Sequence, residues 1–269
     1  MMRDNNKWQI LQVGNLIAVI LTVIINSLAN VLPIGGKYTE ELSDNIPNLF
    51  VPAGITFSIW GVIYVLIILF AVYLAKDLFK KEKTTSVFHG KISFFFILSC
   101  IANSAWIFLW HYEQIVLSLV AMAVLFISLL IMYLRLDIGN TQVARKERWL
   151  IHTPISVYLG WITVATIANV TAVLVTLGWN GFGISQEIWT MLVIIIATII
   201  TLLMIFTRKD FAYTAVIIWA LLGIYLKRSV VDPIFGLQSQ IAYTAVICII
   251  VLFIGSAIMK LGPIIKKPK

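Results

Sequence analysis

Charge is what this sequence lacks. Asp, Glu, Lys and Arg together make up 12% of its 269 residues, about half the share of an ordinary soluble domain. Apolar residues make up 61%. Helices that are apolar all round belong in a bilayer, which argues against a soluble enzyme, a nucleic-acid binder and a secreted scaffold. The net charge of +8 does not restore the nucleic-acid reading, because the Lys and Arg residues sit in short segments between apolar runs. Cysteine is scarce as well. Cys100 and Cys248 lie inside apolar stretches without metal-ligand spacing and read as small buried hydrophobes. The twelve acidic residues fall in loops or at span ends, and no Lys, Arg, Asp or Glu is near the middle of a span. That argues against a proton- or sodium-driven transporter and removes the usual general acids and bases. His89, His111 and His152 all lie near span ends. None has a ligand partner at metal spacing, so no metal and no cofactor is expected. His111 and Glu113 share a turn and read as a solvated pair.

What is present is a series of long apolar runs bounded by charge, Gly or Pro. Eight are read, at about 8–32, 55–75, 92–110, 115–136, 149–177, 186–207, 211–227 and 238–261. The seventh is the shortest. Lipid demands that each satisfy its own backbone hydrogen bonds, so all eight are expected to be helices. The fold class is therefore all-α, a polytopic membrane helix bundle. With the N-terminus placed inside, seventeen basic residues fall in cytoplasmic segments. Only Lys37, Lys227 and Arg228 fall outside. This bias predicts eight spans with both termini cytoplasmic. Residues 1–29 carry a signal-peptide-like pattern. Their apolar run is long for a signal, however, and holds Asn15 and Asn26, so a retained first helix is expected. The outer segment 32–52 carries Gly35, Gly36, Glu40, Glu41, Asp44 and Pro47. A loop of this length reads equally well as a lid or as a solvated linker.

Polar and aromatic groups inside the spans sort onto helix faces. Asn15, Asn26 and Asn30 share one stripe of the first span. Phe57, Trp60 and Tyr64 share a face of the second; Ser99, Asn103, Trp106 and Trp110 of the third; Tyr158, Trp161, Ala165 and Asn169 of the fifth. An amide facing lipid is costly, so these faces should point inward. Inward aromatics with a few amides are the make-up of a small-molecule site, in which a flat ligand would stack on indoles. The same residues also suit interfacial anchoring and interhelical bonding. Trp8, Trp149, Trp179 and Trp189, near span ends, read as anchors. Asn169-Val170-Thr171 matches a glycosylation sequon but lies within a span and is discarded.

Three blocks carry a family resemblance. Pro52 through Trp60-Gly-Val-Ile-Tyr64, Asn103-Ser-Ala-Trp106 and Tyr158-Leu-Gly-Trp161 with Ala165 and Asn169 come in the order of the second, third and fifth helices of the translocator protein / tryptophan-rich sensory protein (TspO/MBR) family. Ala53, Gly54, Ser58 and Val157 stand where that family usually has Pro or Trp. The resemblance covers about residues 8–180, and members are typically five helices long. It implies a five-helix core over 8–180 and a three-helix membrane extension with a basic tail over 181–269. It also implies an intramembrane pocket under the 32–52 loop that takes tetrapyrroles and other hydrophobic molecules. Carried over by motif, the ligand-binding candidates are Trp60, Tyr64, Asn103, Trp106, Trp161, Ala165 and Asn169, with no catalytic residue. Family members are often homodimers, and a porphyrin-degrading activity has been proposed for some bacterial ones.

The expectation that follows is a multi-pass sensory or receptor protein of a bacterial cytoplasmic membrane. Its partners would be the lipid bilayer and a hydrophobic, tetrapyrrole-like ligand, with no nucleic acid. The alternative is a non-ion-coupled transport protein or permease-like subunit. An enzyme is the third class and the least favoured.

Overall fold

The computed structural model describes residues 2–32, 34–80, 86–231 and 236–265. The side chains of Arg3, Asn30 and Glu40, and Lys81, Lys83, Lys266, Lys267 and Lys269, lie outside the described residues. Among those described the regular structure is all helical. α1 is Met2–Val31, α2 Thr39–Asn45, α3 Ile59–Ala75, α4 Ser86–Ile92, α5 Phe95–His111, α6 Ile115–Leu136, α7 Arg145–Glu147 and α8 Thr153–Thr176. α9 is Gln186–Leu203, α10 Phe211–Val231 and α11 Leu237–Ile265. A tight turn, Gly54–Ser58, leads into α3, and π turns join α7 to α8 and end α9.

Seven of these segments are long and apolar enough to cross a membrane. The eighth expected span is the shorter α5, at 17 residues, the lower limit of what a bilayer needs (about 17–25). Its expected start at 92 was early because Ser93 turns the chain with φ 52°, which breaks α4 from α5. The seventh expected span was drawn too short. α10 continues past Lys227 and Arg228 to Val231, since both cations find partners in the 44–49 stretch.

Local chemistry sets the remaining boundaries. Ser185 accepts from the backbone N–H of Ile188 and caps α9. The Asp210 carboxylate accepts from the N–H groups of Ala212 and Tyr213 and starts α10. Asp137 and Lys209, both left-handed, close α6 and the α9 end. Pro154, lacking an N–H, sits in the first turn of α8 just after the π turn.

The helices pack in a definite order. α1, α3, α8, α6 and α5 touch in a closed ring. α10 docks on the outside of α8, α11 lies on α10, and α9 lies on α11. Gly160 permits the α8–α10 approach, since a Cβ there would meet the Tyr213 carbonyl oxygen at 3.2 Å. α8 and α9 follow one another in sequence yet scarcely touch. Outward surfaces are apolar: Val62, Val65, Leu69 and Val72 of α3 are all more than two-fifths exposed. Such a belt suits lipid and not water.

Candidate functional site

The ring interior holds an aromatic stack. The Trp60 ring lies against Tyr64 (centroids 5.6 Å, planes 18° apart) and against Trp106 (6.5 Å, 30°). It meets Tyr158 and Trp161 edge-on at 6.2 and 6.1 Å. Trp110 extends the stack from Trp106 at 5.6 Å, and Phe57 closes on Trp161 at 5.9 Å. These are favourable aromatic geometries, each pair contributing about 0.5–1.5 kcal/mol beyond burial.

Buried amides tie the ring together across helices. Asn26 of α1 donates to the Asn103 side-chain oxygen at 2.6 Å. The Trp106 indole donates to Asn169 Oδ1 at 3.0 Å, and Asn169 Nδ2 donates to Ser118 of α6 at 3.1 Å. Buried donors are left over here, Asn103 Nδ2 and the Trp161 indole among them, and of these two only Trp161 lines the cavity above the stack. Trp161 Nε1 is buried, with the residue 2% exposed, and has no hydrogen-bond partner. Among the described residues no three His, Cys, Asp or Glu side chains come together as metal ligands would.

Above the stack is a small cavity of about 40 Å³ beneath the 39–52 segment. Trp60, Trp106, Trp161, Ala165 and Asn169 line it, as do Phe57, Trp110, Asn48 and Pro52. Tyr64 is one turn deeper, behind Trp60, and Asn103 is committed to Asn26; neither lines the cavity. The volume is about that of one water, far below the roughly 300–1,000 Å³ of a small-molecule pocket. The indoles that would stack on a ligand stack on one another instead.

The segment from Lys37 to Thr56 covers this cavity and is fastened on every side. Asn48 Nδ2 donates to Ala168 O (3.1 Å) and Thr171 Oγ1 (2.7 Å) of α8, while its Oδ1 accepts from Phe50 N–H at 3.0 Å. Arg228 of α10 donates from Nε to Leu49 O and from Nη2 to Asn48 O, both at 3.0 Å. Ala53 N–H reaches Gly223 O (3.0 Å), and the Trp219 indole reaches Thr56 O (2.9 Å). Lys227 pairs with Asp44, and Lys37 with Glu113. His111 is therefore not half of a solvated pair with Glu113. It is buried, and its Nδ1 lies 2.8 Å from Ile107 O. A carbonyl can only accept, so Nδ1 donates. In the neutral ring Nε2 then accepts from Thr39 Oγ1, 3.3 Å away on the loop.

Asn48 and Arg228 escaped the sequence reading. Arg228 looked like a span-end charge, and its loop partners lie about 180 positions away. Asn48 carries no periodic signal. The two buried carboxylates among the described residues sit at the opposite end of the bundle: Asp77, which accepts from Gln12 Nε2 at 2.6 Å, and Asp210.

This geometry agrees with the outcome of a family comparison. A family model described as TSPO-like protein matches residues 9–258. The chain belongs to the TSPO-like protein family. The match runs past residue 180, through α9 and α10 and most of α11. No curated protein and no solved structure matches the chain. As a TSPO-like protein with these helices it is a multi-pass membrane protein with a buried aromatic cluster.

Proposed function

We propose that this TSPO-like protein is a membrane receptor for a hydrophobic, tetrapyrrole-like molecule, which it binds among Trp60, Trp106 and Trp161 without transforming it. The observation that carries this reading is the Trp161 indole N–H, a buried donor without an acceptor in the wall of a largely apolar and aromatic cavity that also presents the Asn48 and Asn169 amides. A buried orphan donor costs about 1–3 kcal/mol. A ligand acceptor beneath the loop would satisfy it, and Asn169 would orient the ligand edge. The 40 Å³ cavity is then the closed, ligand-free arrangement. Binding must part the Trp60–Trp106 stack, and each indole would then stack on a face of the ligand.

The same reading places both termini in the cytoplasm and the chain in a bacterial cytoplasmic membrane, with a five-helix core over 8–180 and an extension over 181–269. The ion pairs support this topology. Lys37–Glu113 and Lys227–Asp44 join segments that the charge bias puts outside, and Arg208–Asp137 (2.6 Å) joins two that it puts inside.

The test is a Trp-quenching titration of the purified protein with protoporphyrin IX, with Trp161→Leu in parallel. Saturable micromolar quenching, weakened in the variant by ~1 kcal/mol or more, is expected. Quenching that never saturates and is equal in both proteins would mean micelle partitioning and would end the assignment.

A further inference from the structure

A second hollow is much larger than the first. Where α8 and α9 diverge, a cleft of about 600 Å³ lies between them, within the range of small-molecule sites. The facing walls are helical stripes: Ile167, Val170 and Leu174 on α8, and Val193, Ile196 and Ile200 on α9. Along α9 the lining runs from Gln186 to Ile200, about 21 Å at 1.5 Å per residue. None of the residues lining it is charged. Its outer end is roofed by Pro47–Phe50 and by Trp179 and Trp189, whose rings pack 5.2 Å apart.

The cleft and the aromatic cavity are separate hollows that share one lining side chain. Asn48 lines both hollows, which occupy opposite sides of the outer half of α8. Its carboxamide bridges from the strap to Ala168 O and Thr171 Oγ1 and so closes the gap over the shoulder of α8. The 46–53 strap is also held by its backbone, through Arg228 on the carbonyls of residues 48 and 49 and through Ala53 N–H on Gly223 O, while Asn48 Oδ1 accepts from Phe50 N–H. Rotation of that carboxamide gives up its bonds to α8 and to Phe50 N–H and opens the gap, while Arg228 and Gly223 still hold the strap.

We propose that the α8–α9 cleft binds an elongated, uncharged, lipid-soluble molecule drawn sideways from the bilayer, and that Asn48 is the gate through which such a molecule passes to the aromatic cavity. The cleft site stands by itself; the gate rests on the receptor reading above. The uncharged lining excludes an ionised headgroup, since a charge there would be buried without a partner. The walls match a hydrocarbon chain, and the Thr171, Thr190 and Ser185 hydroxyls leave lone pairs that a single terminal hydroxyl can use.

The test uses the full chain in phosphatidylcholine nanodiscs with a diazirine-bearing hexadecanol, photolysed and mapped by peptide mass spectrometry. Expected is saturable labelling of 166–175 and 186–200, lost in Val170→Trp and in Ile196→Trp, which fill the cleft from either wall. The matching carboxylic acid, ionised at pH 8, should label the cleft less. Labelling that rises without saturation and equals that of the lipid-facing side of α6 would overturn the site. In Asn48→Ala, labelling within 161–169 on the cavity side and at Trp106 should rise roughly tenfold, the effect of losing two interhelical bonds. Thr171→Val, which removes one acceptor and keeps the shape, should give a smaller rise. Unchanged cavity labelling in both variants, with the cleft still labelled, would overturn the gate. Saturable cleft labelling alongside failed protoporphyrin binding would remove the receptor reading and leave the cleft site in place.

Discussion

Replacing Arg228 with Met should release the strap over the aromatic cavity while leaving the bundle folded. Arg228 is 6% exposed, and its guanidinium holds Leu49 O and Asn48 O at 3.0 Å and Gln238 Oε1 at 3.3 Å. Hydrogen bonds from a charged donor contribute about 1.5–3 kcal/mol each. The bond to Asn48 O is buried and that to Leu49 O part-buried, so the lower value is taken as a floor. Two strap bonds then amount to about 3 kcal/mol, or a roughly 150-fold rise in strap opening at 1.4 kcal/mol per tenfold. Thermal stability is the wrong readout, because removing a buried cation also removes its desolvation cost. The proper assay is hydrogen exchange in nanodiscs, read on the amides of Phe50, Val51 and Ala53, each bonded within the strap or to α10. Arg228→Lys keeps the charge but not the planar fork that reaches two carbonyls, and should fall between. If Arg228→Met leaves protection across 46–53 at the wild-type level, the idea that α10 fastens the strap is wrong.

Asn169→Leu breaks the links to Trp106 and Ser118; at about 0.6 kcal/mol per intramembrane bond, with a ceiling near 1.7, unfolding in mixed micelles should show a loss of about 1–3 kcal/mol, and an unchanged midpoint would refute the role. Gly223→Ala should be destabilising by about 1–3 kcal/mol, since its Cβ would fall on the Thr56 hydroxyl and 2.9 Å from Pro52 Cβ; detergent melting curves read this, and Gly61→Ala, with open space around it, is the neutral control. At the other end of the bundle, hydrogen bonds from Asn140 first, then from Thr141 and Arg208, hold the Asp137 carboxyl below its ordinary range. A depressed folded value means that its stabilisation is complete above the unfolded value of about 3.9 and is lost as the pH falls through the folded one. The Arg208 pairing should therefore be unchanged from pH 7 to pH 5, and a carbon-13 titration of the Asp137 carboxyl with a midpoint at or above 3.9 would contradict it.

How much of this was legible in the sequence follows from what kind of constraint each feature obeys. Lipid imposes a continuous apolar length on every span, so the eight runs stood out. The errors came at ends: Ser93 breaks a helix by its left-handed backbone, and α10 outruns Lys227 because a partner neutralises it. Helical period told which aromatics share a face, and Trp60, Trp106 and Trp161 do converge. Period says nothing of what fills the space between faces, so the 40 Å³ cavity could not be read from it. His111 shows the limit most plainly. Adjacency in sequence paired it with Glu113, whereas folding delivers Thr39 to the histidine and Lys37 to the glutamate.

The same contrast gives Lys37, Lys227 and Arg228 a common meaning. A positive-inside distribution treats Lys37, Lys227 and Arg228 as exceptions. Each is engaged with the loop over the cavity or belongs to it: Lys37 anchors the loop to the α5–α6 turn, Lys227 holds Asp44, and Arg228 holds two strap carbonyls. Two of the three come from α10, which lies outside the five-helix ring. Closing the ring's mouth thus depends on a helix that the ring does not contain, and the space left where α9 splays from α8 exists only because of that same flank. A five-helix relative would have neither the Arg228 clasp nor the cleft. Truncating this chain after α8 should therefore not yield a minimal receptor, but a ring whose strap is untied and whose α8 surface, normally under α10, is bare to lipid.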